Sequence, residues 1–274
     1  MRVLTYNVLA HVFADGPRRS EIVRRALADL RADVVALQEV TRTPDLEEAR
    51  ALLGPGFTVV EHPHRSDDGG GACLAVRWPV DDVHVLELPA SPPDPLPWTA
   101  TVAAEVRTPD GPVLVVHHKP SWQLDRERER EVQAVAAAHF VERVAGDRRT
   151  LPVVLLGDLD AGPEAGSVRF LTGRQSLDGM SVRYEDAWEA VHPGEPGHTF
   201  APHNPLVASG EMPLERGRRI DHVMVRSGPH GPLLDVAECR LFLHRPVDGV
   251  WASDHFGVVA DLRWPPHAPG TWAR

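Results

Sequence analysis

Short apolar runs of strand length recur along the whole chain, and most of them end on a polar or charged side chain. Residues 3–9, 33–39, 57–61, 72–78, 83–88, 99–107, 112–118, 152–157, 219–226, 234–243 and 255–262 read as strands. Thr108-Pro-Asp-Gly111 between two of them is a hairpin signal. Elsewhere the connections are helical: Ile22, Val23, Ala26, Leu27 and Leu30 recur at helical spacing within 18–30, and 46–53 and 123–144 read as further helices. Hairpins mixed with helical connections predict antiparallel and mixed sheets covered by helices, not one doubly wound parallel sheet. The run 152–157 is nearly all apolar, which predicts a strand buried on both faces. Residues 190–217 are rich in Pro, Gly and His and read as one long loop, and 89–97 as a stiff proline-rich surface loop. One domain over residues 1–265 with a C-terminal tail over 266–274 is the expected organisation.

The chain has 29 basic and 39 acidic residues, a formal net charge of -10. That balance excludes a protein that coats nucleic acid non-specifically, which rests on Lys and Arg neutralising phosphates. It does not exclude a nuclease, because bound cations return positive charge to a carboxylate cluster. It favours a compact substrate, or a local basic groove on an acidic body. The two cysteines, Cys73 and Cys239, form no disulfide framework or zinc spacing and read as two packed, reduced thiols. No secretory signal or membrane-length apolar stretch is present, so a cytoplasmic protein without a membrane span is expected. A monomer is expected.

The strongest chemical segment is Leu155-Leu-Gly-Asp158-Leu-Asp160-Ala-Gly-Pro163. If the chain stays extended past the strand, Asp158 and Asp160 point to the same side. Two like charges held together call for a cation or a shared proton, and hard cations take oxygen ligands. The ordinary alternative is a loop with an Asx turn. Glu39 ends another apolar run, where a surface acid is the plain reading. Asn7 interrupts the first one, and a buried Asn must find hydrogen-bond partners. His117 and His118 end the hairpin strand, one expected to point inward and the other outward. Asp254-His255 precedes the last run, and pairs a carboxylate suited to a metal or a general base with an imidazole suited to a phosphoryl oxygen. Asp221 opens another run and is able to orient an imidazole from elsewhere.

In their order along the chain, Thr5-Tyr-Asn7-Val, Leu37-Gln-Glu39-Val, His118, Gly157-Asp158-Leu-Asp160-Ala-Gly-Pro163, Arg219-Ile-Asp221-His-Val and Ser253-Asp254-His255 resemble the motifs of the endonuclease/exonuclease/phosphatase superfamily, the DNase I-like group. The resemblance implies a four-layer α/β/β/α sandwich, with two mixed, mostly antiparallel sheets face to face and helices outside. It implies a divalent-metal-dependent phosphoesterase, with Mg2+ as the ion, Mn2+ as an alternative and Ca2+ as a poorer one. Glu39 would be the principal metal ligand, with Asn7 and Asp254 beside it. Asp158 would act on the attacking water, Asp160 would contact metal or phosphate, and His255, oriented by Asp221, would face the scissile phosphate with His118 as a second imidazole.

The substrate would be a phosphate ester, read as a phosphodiester. Nucleic acid, a nucleotide, a small organic phosphate or a phospholipid are the alternatives, and a non-catalytic binding module is the rival on the same fold. Two positions depart from the family pattern: Asp160 stands where Asn is common, and Lys119 follows the histidine where an apolar residue is usual. Lys119, Trp122 and His198 (in Gly197-His-Thr-Phe200) are candidate substrate contacts; a solvated lysine, a core tryptophan and a plain loop histidine are the ordinary readings. Two charge-rich stretches, 124–131 and the arginines Arg18, Arg19, Arg24 and Arg25, read as solvated helix faces.

Overall fold

A computed structural model describes residues 1–89, 97–267 and 269–271. The proline-rich loop expected over 89–97 falls, from residue 90 to 96, outside the described residues, as do parts of the expected 266–274 tail. In chain order the elements are β1 (Arg2–Asn7), α1 (Gly16–Leu30), β2 (Val34–Thr43), β3 (Leu46–Glu47), α2 (Glu48–Leu53), β4 (Thr58–Glu61), β5 (Gly70–Val76), β6 (Val80–Glu87), β7 (Ala100–Thr108), β8 (Gly111–Lys119), α3 (Glu127–Ala145), β9 (Val153–Asp158), α4 (Gly166–Leu171), β10 (Tyr184–Asp186), α5 (Ala187–Val191), α6 (Pro205–Ala208), β11 (Asp221–Gly228), β12 (Gly231–Pro232), β13 (Asp235–Phe242) and β14 (Gly257–Arg263).

The strands form two sheets of seven. The first runs β13-β14-β1-β2-β5-β4 with β3 beside β2, and the second β10-β11-β9-β8-β7-β6 with β12 beside β11. Among the described residues only β1 with β2 and β8 with β9 pair in parallel; the other strand pairings are antiparallel. β1 is therefore held between β2 from its own end of the chain and β14 from the other, while the second sheet is built from the middle of the sequence.

Strand alternation sends every second side chain to each face. Val3, Val34 and Val258 of the first sheet meet Val115, Val154 and Val223 of the second in the central core. The opposite face of the first sheet buries Leu4, Val35 and Leu37 against Val23, Leu27 and Leu30 of α1 and Leu52 and Leu53 of α2. The opposite face of the second buries Leu114, Val116 and Leu155 against Ala134, Ala138 and Val141 of α3 and Val168 and Phe170 of α4. The result is helix, sheet, sheet, helix. β9 lies inside its sheet, and all its residues are buried. Both cysteines are buried and free. Among the described residues no helix is long and apolar enough to cross a membrane.

Three readings change. The stretch 190–217 is not a plain loop: it holds α6, whose N-cap Asn204 accepts from the Leu206 amide, and a bridge from Phe200 to His255. α3 starts at Glu127, because Arg130 turns back to donate to the carbonyls of Ser121 (3.1 Å) and Gln123 (2.7 Å) and is buried rather than solvated. Arg19 is also buried, while its neighbour Arg24 pairs with Glu21 at the surface. The Arg19 guanidinium donates to the carbonyls of Val8, Leu9, Ala10, Phe13, Ala14 and Ala252.

Arg19 thus fixes the loop between β1 and α1 to the approach to β14. Arg19→Met would strand these carbonyls and is expected to destabilise the fold by about 3 kcal/mol or more. Arg19→Lys should recover little, since an ammonium lacks the planar fork. Urea denaturation checks this; a loss below about 1 kcal/mol for Arg19→Met contradicts it.

Candidate active site

The candidate residues at the ends of β1, β2, β8 and β9 and at the starts of β11 and β14 lie at one rim of the two-sheet stack. β1, β2, β8 and β9 run toward that rim, and β11 and β14 start from it. The register makes Asp221 the direct cross-strand partner of Asp158 and puts Asn7 beside Gln38, one residue before Glu39. Gly157 permits the approach of β9 to β8, since a Cβ there would sit 2.0 Å from the His118 carbonyl oxygen.

Glu39 does not follow its strand. The pairing of β2 with β5 slips between Gln38 and Val40, and Glu39 has φ 62°. A left-handed backbone is costly for a residue with a Cβ, and such strain gathers at functional sites. The bulge frees the Glu39 side chain from the strict alternation of the strand. Its Oε1 accepts from Asn7 Nδ2 (2.8 Å) and its Oε2 from the Ala10 amide (3.2 Å). The same Asn7 Nδ2 donates to Asp158 Oδ2 (3.1 Å). Asn7 Oδ1 is taken by the Leu9 amide (3.0 Å). Asn7 is therefore a bridge between Glu39 and Asp158 through its amide nitrogen, while its Oδ1 keeps a second lone pair beyond the Leu9 contact. Burial, and then the Asp254 carboxylate, push the Glu39 carboxyl up from its usual range.

Asp160 has φ 51°, so the chain is not extended past the strand and the expected same-side geometry of Asp158 and Asp160 does not arise that way. The Asp160 amide instead donates to Asp158 Oδ1 (3.2 Å) in a tight turn. What joins the two carboxylates is Lys119. Its ammonium contacts Asp160 Oδ2 closely and lies 3.2 Å from Asp158 Oδ2. The two positions where the chain departs from the family pattern thus touch each other. Burial works against the Lys119 charge, but Asp158 and Asp160 outweigh it and hold the ammonium above its usual range. Burial also works to raise Asp158, but Lys119 and His255 hold it down at about 2. Burial, and then Asp158, push Asp160 up to about 6.

His255 Nδ1 lies 3.0 Å from Asp221 Oδ2, leaving Nε2 for the cleft that His255 lines. Asp221 is buried, its amide donates to Thr199 Oγ1 (3.2 Å), and its Oδ1 has no partner. Burial disfavours the imidazolium, yet Asp221 and Asp158 hold His255 well above its usual range. Phe200 stacks at 4.9 Å from the His255 ring.

His118 is not brought to this cleft. It shares its face of β8 with Val116 and Leu114, which pack under α3, and its Nδ1 lies 2.8 Å from Thr101 Oγ1. Both faces of the sheet are covered, so the expected inward and outward pair became two buried histidines, and the inward position at the strand end belongs to Lys119. His117 faces the other sheet. The Gln38 amide donates to His117 Nε2 (2.7 Å), which leaves Nδ1–H to donate to His62 Nε2 (3.1 Å), and His62 Nδ1–H to donate to the Trp98 carbonyl (3.1 Å).

Burial holds His62 at about 4, His118 at about 3 and His117 well below its usual range. These imidazoles bind protons more weakly folded than unfolded. Stability is therefore full above pH 6.5 and falls as pH drops toward 4, by about 3 kcal/mol for His62 alone. Denaturation at stepped pH checks this, and a flat profile from pH 7 to 4 contradicts it.

The cleft holds about 540 Å³. Asn7, Glu39, Lys119, Asp158, Asp160, Asp254 and His255 line it, with Trp122, Trp98, Phe13 and Phe200 on its walls. His198 does not line it and packs against Gly217, so the contributions of its segment are Thr199 and Phe200. Sequence reasoning passed over Thr199, whose hydroxyl supports Asp221; the signal available was the Gly197-His-Thr-Phe200 piece itself. Phe13, Trp98 and Arg218 were also missed, and no sequence signal marks them.

The donor set fits a divalent ion of the hard, oxygen-seeking kind. Glu39 and Asp254 are carboxylates whose charges oppose each other, and neither has an ion-pair partner among the described residues. Asp158, Asp221 and His255 also place donor atoms within 4.8 Å of one another. The sequence pattern of the Endonuclease/Exonuclease/phosphatase family matches residues 4–255, nearly the whole chain.

The chain belongs to the endonuclease/exonuclease/phosphatase family.

Solved structures agree on the fold. D. rerio TDP2 complexed with a single strand DNA product superposes with a TM-score of 0.73 at 18% identity, over 96% of this chain and 98% of that one. The human Nocturnin catalytic domain with a bound sulfate anion gives 0.71 at 17% identity, over 97% and 94%. The endonuclease/exonuclease/phosphatase from Bacteroides vulgatus gives 0.71 at 19% identity, over 96% and 98%. No curated protein matches the chain by sequence. At these identities the likeness establishes the endonuclease/exonuclease/phosphatase sandwich and not a substrate.

Proposed function

We propose that this protein hydrolyses a phosphodiester by in-line attack of water with a divalent ion held at Glu39 and Asp254. The observation that carries the reading is His255, hydrogen-bonded to Asp221 and gathered with Asp158, in one cleft with the Glu39 and Asp254 carboxylates. A bound Mg2+ or Mn2+ would polarise the phosphate and activate water.

The protein's own groups do the rest. Asp158, ionised at about 2, accepts a hydrogen bond from the attacking water and orients it. His255, charged at neutral pH, donates to a phosphoryl or leaving-group oxygen. Asp221 fixes its tautomer and angle, and Thr199 fixes Asp221. Asn7 spaces the ion side from the water side.

The substrate side favours a compact phosphodiester with a planar group over a long duplex. Among the described lining residues, Lys119 and Arg218 are the only basic side chains besides His255, and both are already ion-paired. Trp98, Trp122, Phe13 and Phe200 instead offer flat apolar surface. The single strand DNA product held by D. rerio TDP2 on the same fold makes short single-stranded oligonucleotides the first natural substrate class to try. A monomer in the cytoplasm belongs to the same reading.

Hydrolysis of bis-p-nitrophenyl phosphate with Mg2+ or Mn2+ tests the reaction, followed by single-stranded oligonucleotides, nucleotides, phosphoinositides and sphingomyelin. EDTA should abolish turnover, and the divalent ion should restore it. Absence of turnover together with absence of ion binding in titration calorimetry would leave a binding module instead.

A further inference from the structure

We propose that Lys119 is a built-in cation occupying the place of a second divalent ion, so that the cleft takes one ion, at Glu39 and Asp254. The inference rests on the metal-dependent reading above and specifies its stoichiometry.

Lys119 is 2% exposed, and an ammonium buried that deeply is costly unless charge partners compensate it. Its partners are two carboxylates that no other cation bridges among the described residues: Asp158, 1% exposed, at 3.2 Å, and Asp160, 11% exposed, in close contact. One compact positive charge between two carboxylates is the arrangement a metal ion would make.

The placement is rigid. Lys119 is the last residue of β8, two residues beyond the His117 to Leu156 pair of the parallel β8–β9 ladder, so it stands level with Asp158. Its ammonium lies 6.0 Å from the Trp98 ring centroid. Asp160 adopts its left-handed backbone at the point where its carboxylate meets Lys119.

The other half of the cleft is the opposite case. The Asn7 amide nitrogen stands between Asp158 and Glu39, donating to both, and divides the acids into two groups. Asp158 and Asp160 have Lys119. Glu39 and Asp254 have no side-chain cation paired to them among the described residues. A divalent ion therefore has one group of carboxylates to neutralise. Lys119 also positions Asp158, since the ammonium occupies one side of Oδ2 and Asn7 another.

The test counts bound Mn2+ on the full chain by equilibrium dialysis with electron paramagnetic resonance. The wild-type protein should bind one ion, and so should Lys119→Arg, which keeps the charge. Lys119→Met should bind two, the new one at Asp158 and Asp160. Lys119→Met with Asp160→Asn should return to one. Melting in EDTA should show Lys119→Met less stable than the charge-balanced double variant. Should Lys119→Met not fold, Lys119→Gln, which also removes the charge, takes its place with the same expected count of two. Two ions on the wild type overturn the inference and leave the metal-dependent reading standing, as does a folded Lys119→Met that binds one. No ion on the wild type overturns the metal-dependent reading, and the inference falls with it.

Discussion

His255→Ala is expected to lower turnover of a phosphodiester by roughly 10^3-fold while divalent-ion affinity stays within about twofold of the wild type. His255 is held by Asp221 at 3.0 Å, and Asp221 and Asp158 push its imidazole well above its usual range, so its loss removes a preorganised donor from the cleft. It belongs to the phosphate side, and the ion is assigned to Glu39 and Asp254. Removing it should therefore affect the reaction and not the ion. Steady-state kinetics with titration calorimetry on the same preparation checks both halves. If ion affinity falls as far as turnover, His255 is a ligand, and the cluster of Asp158, Asp221 and His255 is where the metal binds.

Glu39→Ala is expected to do the reverse, weakening ion binding by roughly 10^2-fold or more and turnover at low ion concentration with it. Turnover should recover in part at high Mn2+. The half-buried Glu39 carboxyl is held up by desolvation and by Asp254, so the ion-free site carries a repulsion that an ion relieves. The variant should consequently melt no lower than the wild type in EDTA, and should lose the stabilisation that Mn2+ gives the wild type. Glu39→Gln, which keeps the size and the Asn7 contact, separates charge from shape. Unchanged ion affinity in both variants would remove Glu39 from the metal site.

Much of this architecture could be read before any coordinates, because it rests on periodicity. The 99–118 hairpin announced itself through Thr-Pro-Asp-Gly and appears with Thr108 opposite Gly111. The nearly all-apolar run at 152–157 reads as a strand buried on both faces, and β9 is one. What failed to show were features that depend on which face is covered. A strand with helices on one side and a sheet on the other buries both faces, so alternation could not tell His118 from Lys119 at the end of β8. Charge runs misled for a related reason. Arg19 and Arg130 sit in stretches that look solvated, and no periodicity reveals that each guanidinium donates to backbone carbonyls of the segment just ahead of it, with Ala252 added for Arg19. Short elements such as α4, β10 and α5 carry too few residues to show a period.

The threading of the first sheet has a consequence in time. β1 and β2 are made first and β14 last, yet β14 pairs with β1, and the whole second sheet is synthesised in between. During vectorial synthesis the middle of the chain can assemble β7, β8 and β9, and with them the Lys119 pairing to Asp158 and Asp160, while the amino-terminal strands wait for their neighbour. Asp254 and His255 arrive on the segment leading into β14. A nascent chain ending before that segment carries the Lys119 pairing but neither Asp254 nor His255, so the residues of the proposed site are complete only once β14 joins the sheet.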